Sequence, residues 1–320
     1  MSSQSKVFTV VSLFSGCGGS SLGYRLAGGK VLLAVENDAK AVAVYQANFP
    51  QTKVWQGDIC ELPADTCMKA AKVSPGELDI LDGSPPCQGF STSGKREFAD
   101  TRNQLYHEFI RLLAALQPKA FVMENVSGMV KGKMRLLFVD CLRRMKASGY
   151  RVAARVLNAM YYGVPQSRER LIFIGIQEGL GVDPSHPTPQ SRPKTVRQTI
   201  GHLPIGKPGD HSPRVIEAWH KSNPGQSLRK AVSYVGSFQS CRLDPDRPSQ
   251  TQIRAHRHWH YATPRQLSDL ELALLSSFPA SFKWPGAKGD MTQWVGNAVP
   301  PNFMRAIAEH VQDTILGATR

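Results

Sequence analysis

The chain has 320 residues, of which 41% are hydrophobic, and a formal net charge of +14. That length buries a full core, as one large domain or a large and a small one, and no apolar run approaches the roughly 18 residues of a membrane span. Six cysteines without a C-x-x-C pair or metal spacing exclude a disulfide scaffold and a zinc module, and the opening residues lack a signal peptide's cleavage site and flanks, so the expectation is a cytoplasmic protein with reduced thiols.

Val7–Phe14 is an apolar run with β-branched residues, which predicts a buried first strand. Ser15-Gly16-Cys17-Gly18-Gly19 follows as a glycine-rich turn, and Ser20 is placed to cap a helix running to about Ala27. Val31–Val35 is a second strand ending at Glu36-Asn37-Asp38, with Glu36 standing 20 residues after Gly16. This is the pattern of a nucleoside-binding βαβ unit: glycines let the backbone approach the ligand, and an acid at the end of the second strand takes the ribose hydroxyls. The dinucleotide fingerprint G-x-G-x-x-G fails at its last position, where Ser21 stands, which argues against a nicotinamide enzyme. A purely structural turn is the other reading of the glycines.

Lys40–Asn48 reads as a helix and Val54–Ile59 as a third strand, with Asp58 either bonding a base amine or capping a turn. Leu78–Leu81 is a fourth strand, ended by Asp82-Gly83-Ser84. Pro85 and Pro86 each fix φ and remove an N–H donor, so a stiff loop delivers Cys87. A nucleophile benefits from a position held by the scaffold. At an ordinary pKa of about 8.5 only roughly 3% of a thiol is ionised near neutral pH, yet sulfur is intrinsically a strong nucleophile. A lone cysteine is more often a small buried hydrophobe, and the blocks elsewhere in the chain are what raise Cys87 above that reading.

Leu105–Leu116 has helical spacing stopped by Pro118, and Ala120–Met123 is a fifth strand followed by Glu124-Asn125-Val126. A carboxylate at a strand's carboxyl end faces the ligand crevice of an open α/β sheet. Leu136–Lys146 is a further helix. Residues 162–170 then run into Leu171–Ile176; if extended, Gln166, Arg168 and Arg170 project to one face. Paired arginines suit an anion or a base edge, the alternative being a salt-bridged surface strand. The alternation up to about residue 176 predicts an α/β protein with a doubly wound mixed sheet.

Residues 181–260 break that rhythm. They hold 12 Lys+Arg against five Asp+Glu, so half of the net charge lies in a quarter of the chain, together with seven of the nine histidines and ten of the 22 prolines. A basic, Pro-rich, weakly periodic stretch reads as loops facing a polyanion, against the alternative of a merely solvated surface. His256-Arg257-His258-Trp259-His260 has no Cys or acid at ligand spacing, so a polar strand or DNA-facing loop is expected there and no metal. Leu267–Leu275 reads as a helix and Asn302–Leu316 as a terminal amphipathic helix, with Gln293–Pro301 between them.

In this order the blocks resemble the DNA (cytosine-5) methyltransferase family over nearly the whole chain. Phe14-Ser-Gly16-Cys-Gly18-Gly19 is similar to its S-adenosyl-L-methionine (AdoMet) glycine loop, Glu36 to its ribose-binding acid and Asp58-Ile59 to its adenine contact. Ser84-Pro-Pro86-Cys87-Gln-Gly-Phe-Ser91 resembles the catalytic loop, and Glu124-Asn125-Val126 and Gln166-x-Arg168-x-Arg170 two further blocks. Arg265–Glu271 running to Phe278-Pro279, and Gln293–Pro301, resemble the last two. The resemblance implies an AdoMet-dependent, Rossmann-like methyltransferase fold with a smaller, irregular target-recognition domain. Residues 1–179 would form the catalytic and AdoMet-binding domain, 180–260 the target-recognition domain, and 261–320 a return segment completing the first.

It also implies catalytic roles for Cys87, Glu124, Arg168 and Arg170. The AdoMet pocket would draw on Phe14, Gly16, Gly18, Gly19, Glu36, Asn37, Asp58, Ile59, Pro86, Leu105, Asn297 and Val299, with S-adenosyl-L-homocysteine as product and no metal. Duplex DNA is the implied partner, met by a monomer, with a cognate restriction endonuclease as a functional counterpart. Arg192, Lys194, Arg197, Lys207, Arg214, Arg229 and Lys230 are DNA-contact candidates as a group. An RNA cytosine methyltransferase of the same fold, and a non-catalytic DNA-binding relative, are the alternatives. The chain departs from the family pattern at Ser12, where Asp is frequent, at Ser84, where Gly is usual, and at Leu274 and Ser276, where Arg and Gln are usual.

Overall fold

A computed structural model describes residues 7–86, 105–232, 240–286 and 290–317. The chain forms two compact units: Met1–Leu157, Glu169–Thr188 and Met304–Arg320 in the first, and Asn158–Arg168 and Pro189–Phe303 in the second.

The first unit carries β1 (Thr9–Leu13), α1 (Gly19–Leu26), β2 (Lys30–Glu36), α2 (Ala39–Asn48), β3 (Lys53–Gln56), α3 (Ala64–Ala71), β4 (Ile80–Gly83), α4 (Leu105–Leu116), β5 (Ala120–Val126), α5 (Arg135–Ala147), β6 (Tyr150–Asn158, its last residue in the second unit) and β7 (Glu169–Gln177). The sheet order is β3-β2-β1-β4-β5-β7-β6. Strands β1 to β5 pair in parallel, and β7 runs antiparallel to β5. On one sheet face Val11, Leu13, Leu33, Val35, Leu81, Phe121 and Met123 pack with Phe109, Leu112 and Leu113 of α4. Strands covered on both faces have no polar side, which is why they read as continuous apolar runs. The opposite face holds Ser12, registered with Asp82, and Asp82 is registered with Val122, two residues before Glu124. Polar groups thus gather where the parallel strands end.

Residues 150–158 were not expected as a strand. β6 ends the sheet, and its partly exposed residues, with Arg151 and Arg155 four apart, blur the two-residue period.

The second unit is built from short helices, α6 (Val196–Ile200), α7 (Pro213–Lys221), α8 (Leu228–Ala231), α9 (Asp269–Leu275) and α10 (Met291–Asn297). α11 (Pro301–Val311) then passes into the first unit. Capping boxes start α6 (Thr195 with Gln198) and α9 (Ser268 with Glu271). Two small clusters, one around Val196, Leu243 and Leu275 and one around Trp219, Leu228 and Trp259, form its apolar interior. The Arg242 guanidinium lies 3.8 Å from the Trp219 ring centroid and donates to the Ser222 and Tyr261 carbonyls.

His258 and His260 do not form a DNA-facing loop, because both are buried. His258 Nδ1 accepts from the Cys241 N–H and Nε2 meets the Thr251 carbonyl, each at 3.2 Å, a pattern that only the neutral ring protonated on Nε2 satisfies. Burial pushes its pKa down to about 4. Because the unfolded chain holds a proton on this ring up to about pH 6.5, the ring's contribution to stability is complete above that pH and is lost as the pH falls toward 4, by about 3 kcal/mol at most. Urea midpoints measured at pH 7 and pH 5 should fall in the wild type and fall less in His258→Gln; equal falls would remove His258 as the cause.

Candidate active site

The glycine loop after β1 is held in a conformation few residues adopt. Phe14 (φ 55), Gly16 (φ 53) and Gly18 (φ 96) all lie in the left-handed region. A Cβ on Gly18 would also fall 2.5 Å from the Phe49 ring, so the position is closed to any side chain. Gly18 caps α1 without a side-chain hydrogen bond, which leaves the backbone N–H groups of the first turn directed at the loop. Glu36, at the carboxyl end of β2, is tied to this loop. Its Oε2 accepts from the Gly16 N–H (2.7 Å) and its Oε1 from the N–H groups of Asn37 (2.9 Å) and Asp38 (3.0 Å). The acid and the glycines expected to share a nucleoside site are therefore hydrogen-bonded to each other. Asp58 caps the turn Ile59–Glu61 by accepting from the Cys60 N–H (3.0 Å), and Ile59 is buried beside it.

The second cluster of the first unit lies where β4 and β5 end. Pro85 is buried, and its carbonyl accepts from Asn125 Nδ2 (3.3 Å), so the loop leaving β4 is fastened to β5 at its base. Cys87 lies outside the described residues; Pro86 and Leu105, the first residue of α4, flank that stretch. Glu124 is 7% exposed, and its Oε1 lies 2.7 Å from Arg170 Nε. The reversed strand β7 makes this pair: Val126 is registered with Arg170, which brings the guanidinium beside the end of β5. In so dry a place both groups act on a ligand with little screening by water. The sequence named both residues but not their pairing, which depends on the antiparallel register.

In the second unit Gln166 and Arg168 are almost wholly buried. Gln166 donates to Ser276 Oγ (3.2 Å) and accepts from the Gln252 N–H (3.2 Å). Arg168 donates from Nη1 to the Gln252 carbonyl (3.1 Å) and from Nη2 to the carbonyls of Gly296 (2.9 Å) and Ala298 (3.0 Å). These bonds commit Arg168 to the interior of its own unit, in contrast to the substrate contact expected for it; of the two arginines, Arg170 is the one beside the acid. Sequence alternation placed the three residues on one face but could not show what that face meets. Gly296 lets the segment that follows Gln252 pass closely, since a Cβ there would sit 2.4 Å from the Arg254 nitrogen. Asn297 is exposed at the end of α10, and Val299 is buried. Arg265 forks onto Glu271 through two 2.7 Å bonds, so that block serves packing. The seven basic candidates between Arg192 and Lys230 are all exposed, with Arg197 paired to Asp246.

The family model of the C-5 cytosine-specific DNA methylases matches residues 8–313. The chain is 38% identical to the Type II methyltransferase M1.HphI of Haemophilus parahaemolyticus, over 95% of this chain and 86% of that one. It is 31% identical to M.HindV of Haemophilus influenzae, over 94% and 95% of the two chains. Among solved structures, a chain described as a prophage-encoded DNA modification methyltransferase (E. coli) aligns at a TM-score of 0.83 with 28% identity, covering 97% of this chain and 99% of that one. The S. pombe Dnmt2 methyltransferase shares the fold at a TM-score of 0.66 and 18% identity, covering 97% and 99% of the two chains.

Proposed function

Since the chain belongs to the C-5 cytosine-specific DNA methylase family and is a DNA (cytosine-5) methyltransferase, we propose that it acts on a cytosine flipped out of duplex DNA through a covalent bond between Cys87 Sγ and ring C6. Cytosine C5 is a poor nucleophile until something adds at C6. The Cys87 thiolate adds there and pushes electron density to C5, splitting one hard step into two easier ones. Glu124 bonds N3 and the exocyclic amine, which offsets the charge that builds on the ring. Arg170 orients Glu124 and reaches the ring oxygen. AdoMet supplies an electrophilic methyl on a sulfonium sulfur. Once C5 carries that methyl, the C5 proton leaves to solvent or a nearby base, the C6–S bond breaks and Cys87 is regenerated. Inside a duplex none of these ring atoms is reachable, which requires the flip.

The observation that carries this reading is the buried Glu124–Arg170 pair at the strand ends beside the base of the Cys87 loop. The AdoMet pocket is read from Phe14, Gly16, Gly18 and Gly19 with Glu36 and Asn37 around the ribose, and Asp58-Ile59 toward the adenine. The bond from Gly16 to Glu36 supports it, because a carboxylate already held by three N–H groups is preorganised for ribose hydroxyls. Pro86 and Leu105 are read as further pocket residues. Arg168 supports the reaction from within its own unit. Residues 180–260 are read as target recognition, their exposed bases supplying salt-dependent phosphate contacts. No helix among the described residues is long and apolar enough to cross a membrane. The reaction is read as cytoplasmic because its substrate is DNA, with a restriction endonuclease of the same site as the functional counterpart.

Incubation with tritiated AdoMet and either duplex DNA or tRNA tests the substrate. Label should enter the DNA at one sequence context, and label entering only the tRNA would overturn the duplex assignment while keeping the chemistry.

A further inference from the structure

One buried acid at the strand ends has no part in the chemistry above. Asp82, on β4 and five residues before Cys87, is 1% exposed. Its Oδ2 accepts from the Ser12 hydroxyl on β1 (2.8 Å) and its Oδ1 from the Tyr24 hydroxyl on α1 (3.2 Å), and both donors are fully buried. Burial raises the Asp82 carboxyl to about 7 even though the two hydroxyls pull it down. An acid in such a place is costly, and a well-packed apolar side chain would stabilise the fold at least as well. Its partners show what it does instead. Ser12 lies two residues before Phe14, where the strained glycine loop begins, and Tyr24 lies on the helix that leaves that loop. β4 runs from Asp82 through Gly83, whose Cβ-less backbone sits against the Phe109 ring, into Pro85, which Asn125 fastens. Three segments therefore meet on one carboxyl group: both sides of the loop read as holding the methyl donor, and the strand that feeds the loop bearing the nucleophile.

We propose that Asp82 is a positioning residue for methyl transfer, locking through Ser12 and Tyr24 the base of the Cys87 loop to the glycine loop. The inference rests on the reading of Cys87 as nucleophile. It also gives Ser12 a meaning. An acid is frequent at that position in the family pattern; here an acid stands on the neighbouring strand at the residue registered with it.

The test compares Asp82→Ser, Tyr24→Phe, Ser12→Asp and the exchange Ser12→Asp/Asp82→Ser with the wild type. It reads single-turnover methyl transfer, trapping on DNA carrying 5-fluorocytosine, and separate affinities for AdoMet and DNA. Asp82→Ser should slow transfer about tenfold or more, and Tyr24→Phe about threefold, with both affinities within about threefold of wild type. The exchange should recover most of the rate, as coupled neighbours do and independent sites do not. Transfer at the wild-type rate in Asp82→Ser, or losses of rate that merely follow lost thermal stability with no recovery in the exchange, would overturn the proposal. Should Asp82→Ser not fold, Tyr24→Phe removes a single hydroxyl and decides the matter by the same rate. A wild type that never traps on the fluorinated DNA would instead overturn the Cys87 reading, whereas a trapping wild type and equally fast variants overturn only the positioning role.

Discussion

Cys87→Ala should lose methyl transfer by a factor of about 10⁴ or more while binding duplex DNA within about threefold of the wild type. The size follows from what the thiolate is asked to do. Without a bond at C6 the ring must give up aromatic stabilisation at the moment C5 attacks the methyl, and no positioned donor around the base repairs that. Removing the Sγ atom takes away little contact area, so recognition should survive. Fluorine gives the sharpest reading. A C5 proton can leave after methyl transfer but a fluorine cannot leave as a cation, so the wild type should remain bonded to 5-fluorocytosine DNA and survive denaturing electrophoresis as a shifted band. Cys87→Ala should give none. Full activity in the variant would end the covalent mechanism.

Glu124→Gln should lower the rate of the chemical step by about 10² to 10³ with the AdoMet affinity unchanged. An amide keeps the shape but neither neutralises the ring nor holds the Arg170 guanidinium 2.7 Å away. Arg170→Met should cost a comparable factor, and the double variant little more than the worse single one, because the two act as a unit. Stability must be followed alongside, since removing one member of a buried pair strands the other charge, at a cost of about 3 kcal/mol. Additive losses in the double variant would show two independent roles and refute the pairing as the functional element.

What was legible in the sequence is what has a strong local signature. Buried parallel strands are apolar throughout, glycines mark backbone that no side chain tolerates, and Leu105–Leu116 carries its own helical period, which the structure reproduces residue for residue. The places of Glu36 and Glu124 were legible because each closes an apolar run, and the structure sets them toward the carboxyl ends of β2 and β5. What stayed hidden depends on neighbours far along the chain. Nothing near Arg168 announces that its acceptors are carbonyls at 252, 296 and 298. Asp82 looked like a strand terminator, since its partners lie 70 and 58 residues upstream. The helices between 196 and 231 are four to nine residues long, too short for a period to emerge among the loops at Pro204, Pro208 and Pro224.

The anchor around Arg168 bears on how such a protein can change its taste in DNA. The acceptors at residues 252, 296 and 298 are main chain, and a carbonyl is the same whichever residue carries it. If residues 180–260 read the DNA as proposed, their sequence can therefore drift, or be grafted whole from another enzyme, without renegotiating these bonds, provided the backbone follows the same path past residues 252 and 296–298. A graft should accordingly retain residues 158–168, which lie between two strands of the sheet in sequence yet belong with the second unit. A cut placed between 168 and 252 that distorts the incoming backbone would unmoor the arginine, and a new specificity would arrive with an unstable scaffold.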